Sequence, residues 1–220
     1  MVAVAKLKPT DLKRQAAKVV KHLAQDYPDA HCALDFKTPL QLLVATILSA
    51  QCTDKRVNMV TPALFAKYKT AADFAKAPLS ALEKAIQSTG FFRNKAKSIK
   101  ACCQAIMAEH NGEVPQDLDS LVALPGIGRK TANVVLGTAF GIPSGVVVDT
   151  HVGRIARRLG LTSTTDAVKA EEELCGLLPK KERIDFSHRM IWHGRAVCDA
   201  RKPKCEACSM NKFCPRIGVA

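Results

Sequence analysis

The chain has 220 residues, a formal net charge of +13 and nine cysteines. This length suits one large domain or two small ones, and the charge indicates a polyanionic partner, although many proteins are merely basic. No segment has the length and apolar character of a membrane span, and the chain does not begin with a secretory signal, so we expect a cytoplasmic protein in a reducing compartment without a disulfide framework.

Helical patterns follow one another along nearly the whole chain. Thr10 is the expected cap of a first helix that ends before Pro28, and Thr38 begins a second helix with a capping box. Further helices are predicted near 54–68, 71–76, 79–88, 92–110, 118–123, 129–140, 151–159, 166–178 and 184–195. Pro62 is expected to mark a boundary or kink in the helix near 54–68. Residues 146–148 have strand-like composition but no partner, so the predicted fold class is all-α.

A tight turn containing Gly126 and Gly128 lies between two helical patterns, the first of which Asp117 is expected to cap. Both glycines permit a positive φ. Backbone N–H groups at such a turn, at the positive end of the following helix, bind phosphate without any side chain. No strand precedes the turn and a third glycine is missing, so it is not a dinucleotide-binding fingerprint. An ordinary turn is the simpler interpretation of the glycines alone.

Lys130 lies in the first turn of the helix after the glycines, next to Arg129. The helix dipole and the neighbouring cation both disfavour the protonated amine, which is how an amine nucleophile is prepared. The helix over 129–140 is about 18 Å long, and the segment 141–148 spans roughly 26 Å when extended. The chain can therefore return and place Asp149 beside Lys130. Asp149 can also cap the helix that begins near His151, and the two roles are compatible.

Four of the cysteines are grouped near the C-terminus with spacings of x6, x2 and x5: Cys198, Cys205, Cys208 and Cys214. Four thiolates this close can form one metal site. The uneven spacing favours a cubane iron–sulfur cluster over a structural zinc, although spacing alone leaves both open. Metal binding would display the basic segment Arg201, Lys202 and Lys204 as a rigid loop. The other cysteines are expected to be small buried hydrophobes.

These residues together resemble the endonuclease III family over roughly residues 10–216. The resemblance rests on the hairpin at 124–135, on Asp149 within 148–151 and on the cysteine spacing, and the segments 48–54 and 88–96 are similar to two other DNA-facing loops of the family. It implies two helical domains with DNA bound in a cleft between them. A six-helix barrel would span 36–149, with the helix-hairpin-helix at about 118–140. Residues 1–35 and 150–220 would form a discontinuous cluster domain, with the cluster loop at 198–214.

The resemblance also implies a bifunctional DNA glycosylase and abasic-site lyase that removes oxidised pyrimidines from duplex DNA. Lys130 would attack the sugar and form a Schiff base, after which β-elimination cleaves the strand 3′ to the abasic site. Asp149 would stabilise the cationic sugar or assist proton transfer. The four grouped cysteines would bind a 4Fe–4S cluster. The expected partner is double-stranded DNA with damaged bases or abasic sites. No membrane partner is expected, and the protein is expected to be a monomer.

Residues of four loops are predicted to contact DNA: Gln51, Phe91, Leu124, Gly126, Ile127, Gly128, Arg201, Lys202 and Lys204. Gln51 and Phe91 are similar to the family residues that fill the gap left by a flipped nucleotide. Gln51 could instead end a surface helix, and Phe91, where the family usually has leucine, could be ordinary core packing. A further basic group is available to a polyanionic partner and consists of Arg154, Arg157 and Arg158.

Two alternatives remain. A monofunctional mismatch or adenine glycosylase of the same superfamily would share the hairpin, the aspartate and the cluster, but such relatives have serine or tyrosine at the position of Lys130. A non-catalytic DNA-binding module would use the hairpin and cluster only as a scaffold. Only the lyase requires the amine of Lys130, so the loss of strand cleavage on replacing it distinguishes the lyase from both alternatives.

Overall fold

The protein is described here by a computed structural model that covers residues 9–219. Over these residues the fold is all-α, as predicted, with no strand, and residues 146–148 are extended without a partner strand. The α-helices are α1 (Pro9–Asp26), α2 (Pro39–Leu48), α3 (Asp54–Lys67), α4 (Ala71–Lys76), α5 (Leu79–Ile86), α6 (Phe92–Glu109), α7 (Leu118–Ala123), α8 (Arg129–Phe140), α9 (Thr150–Arg158), α10 (Ala167–Leu177) and α11 (Arg183–Ala196). Short 3-10 helices are Gln87–Thr89, Lys180–Glu182 and Cys205–Ala207. No helix within residues 9–219 is long and apolar enough to cross a membrane.

The chain divides into two compact units. The hairpin unit is Cys32–Ile142, with α2 to α8, and the cysteine unit combines the chain up to His31 with the chain from Pro143 onward, with α1 and α9 to α11. The predicted barrel limits, 36 and 149, differ from the limits of the hairpin unit by four and seven residues. The later limit differs because Val146 and Val148 are buried in the core of the cysteine unit. The six-helix barrel itself stays a prediction.

The predicted helix boundaries are mostly reproduced, and the differences have local causes. Thr38 caps α2, since its hydroxyl accepts a hydrogen bond from the Gln41 amide at 3.2 Å. The Gln41 side chain accepts from the Lys37 amide at 2.8 Å, one residue earlier than in a capping box. Pro62 lies inside α3 without ending it, and Thr10 lies inside α1, which already includes Pro9, so Thr10 is not the cap.

The core of the hairpin unit is formed where α4 and α5 pack against α6 and where α2 and α7 pack against α8. Leu42, Leu82 and Leu136 are among its fully buried side chains. Asp117 caps α7 as predicted, by accepting a hydrogen bond from the Ser120 amide at 2.8 Å. Because α7 and α8 both bury their apolar faces in this core, the turn that joins them is held at its two ends.

In the cysteine unit, α1 packs against α10 and α11, and α9 packs against α11. Helix α1 buries Ala16 and Leu23 in the core of this unit. The Gln15 side-chain amide donates to the carbonyl of Leu159 at 3.3 Å and to that of Phe213 at 3.2 Å. These two hydrogen bonds therefore link α1 to the residue that follows α9 and to the segment that carries the grouped cysteines.

Candidate functional site

The turn between α7 and α8 is a tight hairpin in which Gly126 has a φ of +79°. A Cβ atom built on Gly126 would lie 2.9 Å from the Cβ of Ser98, so this position requires glycine for two reasons. Gly128 differs from the prediction, because its φ is −90° and a Cβ built on it would meet no atom within 4 Å apart from its immediate chain neighbours. Leu124 and Ile127 are buried in the core, so any contact they make with DNA involves their main chain.

Lys130 is the second residue of α8, and its side chain is exposed. Gly128 is the N-cap of this helix and provides no side-chain hydrogen bond to it. The first turn of α8 thus places an exposed primary amine next to main-chain N–H groups at the positive end of a helix. This combination suits a nucleophile that works beside a phosphate.

Asp149 is the N-cap of α9 and is half-buried. Its Oδ1 atom accepts hydrogen bonds from the amides of His151 and Val152, both at 2.8 Å. The cap uses only one carboxylate oxygen, so the second oxygen is not required for capping. Asp149 belongs to the cysteine unit and Lys130 to the hairpin unit. The predicted cap is present, and the predicted catalytic role stays a prediction.

Gln51 and Phe91 lie in two loops of the hairpin unit and share an uncommon backbone conformation. The φ of Gln51 is +51° and that of Phe91 is +47°, in the left-handed region that side chains other than glycine rarely adopt. Phe91 is 64% exposed, so it is not part of the core. A left-handed residue with a large exposed apolar side chain persists only where the surrounding structure imposes it, and such positions are concentrated at functional sites.

The four grouped cysteines come together in the cysteine unit and line one cavity. Within residues 9–219, no group of three or more cysteine, histidine, aspartate or glutamate side chains is arranged to hold a single metal ion. A tetrahedral zinc site would need all four sulfurs at about 2.3 Å from one ion. Four cysteine thiols that line one cavity are the ligand set that a polynuclear iron–sulfur cluster takes.

The cavity also affects the chemistry of the thiols. Burial raises the pKa of the Cys208 and Cys214 thiols, and the neighbouring cysteines raise it further. Both thiols are therefore protonated at neutral pH when no iron is bound. Binding iron requires thiolates, so we expect cluster binding to release protons from this site.

Two arginines of α9, which the sequence indicated only as surface charge, bind the first cysteine of the group. Arg158 is 7% exposed, and it donates to the Cys198 sulfur at 3.3 Å and to the carbonyl of Asp199 at 2.6 Å. Arg154 donates to the carbonyl of Cys198 at 2.9 Å. The two arginines are four residues apart, which places both on one face of α9. This spacing can be read from the sequence. These charges are thus partly used inside the protein.

A neutral histidine, His193, also contacts a cysteine of the cavity. It is 2% exposed, and its Nε2 atom lies 3.7 Å from the Cys208 sulfur, while its Nδ1 atom lies 3.1 Å from the Tyr27 hydroxyl. Burial lowers the pKa of His193 to about 4, so the imidazole is neutral at physiological pH. This contact could not be predicted from the sequence, because Tyr27 lies far from the cysteines along the chain.

The basic segment after Cys198 is exposed and ordered by hydrogen bonds. The Asp199 carboxylate accepts from the amides of Arg201 at 2.9 Å and Lys202 at 3.3 Å, and these bonds lower the pKa of Asp199. The Lys204 ammonium donates to the carbonyl of Ala196 at 3.1 Å, at the end of α11. The side chains of Arg201, Lys202 and Lys204 are thereby presented at the surface next to the cysteine cavity.

Two family models match the chain. The one described as HhH-GPD superfamily base excision DNA repair protein covers residues 44–180. The one described as the iron–sulfur binding domain of endonuclease III covers residues 198–214. The second match confirms the predicted iron–sulfur cofactor, and the assignment of the four cysteines as its ligands stays a prediction.

Relatives named endonuclease III are similar over most of their length. The chain is 54% identical to that of Synechocystis sp., with 92% of this chain and 93% of the relative covered. It is 46% identical to that of Bacillus subtilis, with 86% of each chain covered. It is 38% identical to that of Escherichia coli, with 92% of this chain and 95% of the relative covered.

Solved structures show the same similarity. A non-covalent endonuclease III–DNA complex has a TM-score of 0.88 at 46% identity, with 93% of this chain and 95% of that chain covered. A trapped endonuclease III–DNA covalent intermediate has a TM-score of 0.88 at 45% identity, with 93% and 96% covered. A thermostable thymine-DNA glycosylase has a TM-score of 0.82 at 26% identity, with 94% and 97% covered.

Proposed function

Because the chain belongs to the endonuclease III family of the HhH-GPD superfamily, we propose that it is a bifunctional DNA glycosylase and abasic-site lyase that removes oxidised pyrimidines from duplex DNA. The observation that carries the proposal is the exposed amine of Lys130 in the first turn of α8, directly after the hairpin. One similar structure is a covalent endonuclease III–DNA intermediate, which requires a nucleophile on the protein. The partner is double-stranded DNA with a damaged base or an abasic site, bound in the cytoplasm by one copy of the chain.

The proposed reaction begins when the damaged nucleotide leaves the base stack, because its glycosidic bond is inaccessible inside the duplex. The lone pair of the Lys130 amine forms a bond to C1′ of the sugar, and the base leaves with the electrons of the glycosidic bond and a proton. The proton that the base takes is the one that the attacking nitrogen loses. The nitrogen lone pair then forms the C=N bond as the C1′–O4′ bond breaks, and O4′ accepts a proton, so the sugar ring opens and a protonated Schiff base results. The Schiff base acidifies C2′, so removal of a C2′ proton expels the 3′ phosphate and cleaves the strand.

Asp149 is the proposed partner of the lysine in this reaction. A carboxylate stabilises the positive charge that develops on the sugar and accepts or returns protons. The cap of α9 keeps the Asp149 side chain in one orientation through two hydrogen bonds to Oδ1. We propose that the second carboxylate oxygen faces the reacting sugar.

The hairpin is the proposed binding site for a phosphate near the lesion. A phosphate bound by main-chain N–H groups needs room for close approach, and a Cβ built on Gly128 would meet no atom beyond its chain neighbours within 4 Å. Such a contact fixes the position of the DNA without reading its sequence. Leu124 and Ile127 support it from the core, and Gly126 makes the turn possible.

The cysteines of the cavity hold the iron–sulfur cluster, which joins the residues on both sides of the basic segment into one rigid structure. The residues that fit this role are the four cysteines, with Arg158 and Arg154 fastening the first of them. Arg201, Lys202 and Lys204 then contact the DNA backbone, where a positive charge increases affinity in a salt-dependent way.

A pair of glycine substitutions distinguishes the two roles proposed for the hairpin. Gly126→Ala is expected to lower the free energy of unfolding by about 1–3 kcal/mol, because it forces a side chain against Ser98 at a positive φ. Gly128→Ala is expected to cost at most about 1 kcal/mol, since only the cap preference changes, but to weaken binding to damaged duplex. Urea denaturation and fluorescence-anisotropy titrations measure the two effects. Unchanged affinity in Gly128→Ala would contradict the phosphate contact.

Borohydride trapping tests the proposed function directly. The wild-type protein is incubated with a duplex that contains a single thymine glycol, and with the matched undamaged duplex as control. We expect a covalent protein–DNA adduct and strand cleavage with the damaged duplex alone. Base release without an adduct would indicate a monofunctional glycosylase. Binding of damaged and abasic duplexes without base release or cleavage would indicate a DNA-binding module.

A further inference from the structure

Lys95 is a buried lysine on α6 that joins the two loops carrying Gln51 and Phe91. It is 5% exposed, and its ammonium donates to the carbonyl of Leu48 at 2.8 Å and to the carbonyl of Thr89 at 2.8 Å. Both acceptors are main-chain atoms of the hairpin unit. Burying an ammonium is costly unless its donors are satisfied, so a lysine here needs a reason beyond filling space.

The two acceptors lie at equivalent points of the two loops. Leu48 is the last residue of α2, and Thr89 is the last residue of the 3-10 helix Gln87–Thr89. Carbonyl groups at helix ends have no partner in the helix and carry the negative end of its dipole, so a cation suits both. The chain reaches left-handed Gln51 three residues after Leu48, and left-handed Phe91 two residues after Thr89.

We propose that Lys95 is a positioning residue for base extrusion, because one ammonium fixes the starting points of both loops and thereby the spacing between Gln51 and Phe91. The inference rests on the proposed function, in which these two side chains fill the gap that the flipped nucleotide leaves. Lys95 does not touch the substrate in this role. It acts through the two loops, whose strained residues need a fixed anchor to keep their conformation.

The same helix provides a matched control. Lys100 also donates from its ammonium to two main-chain carbonyls, those of Ala75 at 2.6 Å and Ala77 at 2.7 Å. These acceptors lie in and just after α4, away from Gln51 and Phe91 in the sequence. Lys95→Met and Lys100→Met each remove one ammonium and two such hydrogen bonds from α6, but only Lys95→Met frees the two loops.

The test compares two reactions of each variant under single-turnover conditions: excision of thymine glycol from a fully paired duplex, and cleavage at a preformed abasic site. Excision needs a paired base to be extruded, whereas the abasic nucleotide has no base to unstack. We expect Lys95→Met to slow excision by about 10²-fold, as a misplaced positioning group does, and to slow abasic-site cleavage far less. Lys100→Met should leave the ratio of the two rates as in the wild type.

Two further measurements separate positioning from general stability. A 2-aminopurine next to the lesion should report slower extrusion in Lys95→Met but not in Lys100→Met. In a background that lacks both side chains, Gln51→Ala with Phe91→Ala, Lys95→Met should cause little additional loss of excision, because the lysine acts through the two loops that carry these residues. If Lys95→Met does not fold, Lys95→Gln replaces it, since the shorter amide cannot reach both carbonyls, and the same selective loss is expected.

The outcomes that overturn the inference are distinct from those that overturn the proposed function. Equal slowing of both reactions in the Lys95 variants, or the same ratio in the Lys95 and Lys100 variants, would show that Lys95 only stabilises the fold. A wild-type protein that neither excises thymine glycol nor cleaves abasic sites would instead refute the enzyme itself, and the inference with it.

Discussion

Lys130→Gln is expected to form no covalent adduct with thymine glycol duplex under borohydride and to lose strand cleavage at abasic sites by at least about 10³-fold, because no amine remains to form the Schiff base. Folding should be intact. Lys130 is exposed, and glutamine has nearly the same helix propensity as lysine. The free energy of unfolding of the Lys130→Gln variant should stay within about 0.5 kcal/mol of the wild-type value, as for other surface substitutions. Gel analysis of trapped complexes and thermal unfolding measure both quantities.

The matched control is Lys55→Gln. Lys55 is also an exposed lysine at the second position of a helix, α3, in the same unit of the protein. Its replacement removes the same charge from a helix N-terminus, so general electrostatic attraction to DNA falls equally in both variants. Trapping should persist in Lys55→Gln. An adduct that persists in Lys130→Gln would place the nucleophile on a different amine.

Asp149→Asn is expected to slow base excision by about 10²–10⁴-fold, which is the usual contribution of a positioned acid–base group. The folded structure should be preserved, because asparagine is as good an N-cap as aspartate and can accept the same bonds from the amides of His151 and Val152. Loss of the charge next to the helix dipole costs at most about 1 kcal/mol. Single-turnover excision and urea denaturation of the same preparation separate the catalytic effect from the structural one.

Asp166→Asn is the control for this substitution. Asp166 caps α10 with the same geometry, since its Oδ1 atom accepts from the amides of Val168 and Lys169, both at 2.9 Å. Each substitution therefore removes the charge of one N-cap carboxylate and keeps an oxygen that can accept the hydrogen bonds of that cap. If Asp166→Asn slowed excision as much as Asp149→Asn, or if neither slowed it, the catalytic role of Asp149 would be refuted.

The features that the sequence predicted well depend on neighbouring residues. Asp117 caps α7, and α7 and α8 have the predicted limits, because caps, glycines and apolar periodicity act within a few residues of one another. The cysteine spacing is likewise a local pattern, and it indicated the iron–sulfur cofactor that the family match confirms. The all-α fold follows from the same periodicity.

The features that the sequence did not predict depend on distant contacts. Lys95 and Lys100 both belong to a basic helical stretch that indicates a solvated face, yet the two carbonyls that Lys95 binds belong to residues 47 and 6 positions away. Arg158 likewise binds residues that lie some 40 positions away in the sequence. The unit limit at 142 depends on the burial of Val146 with α9. Periodicity carries no information about such partners.

The discontinuous composition of the cysteine unit has a consequence for biosynthesis. Helix α1 leaves the ribosome first, but α10 and α11, against which it packs, come more than a hundred residues later. At about 5–20 residues per second, roughly 7 to 30 seconds pass between the synthesis of α1 and that of these helices, and its apolar face is uncovered during that time. The hairpin unit, Cys32–Ile142, is contiguous and needs no such delay. The nascent chain is thus expected to complete the hairpin unit first and to close the cysteine unit, and accept iron there, only after α11 and the four grouped cysteines have been synthesised.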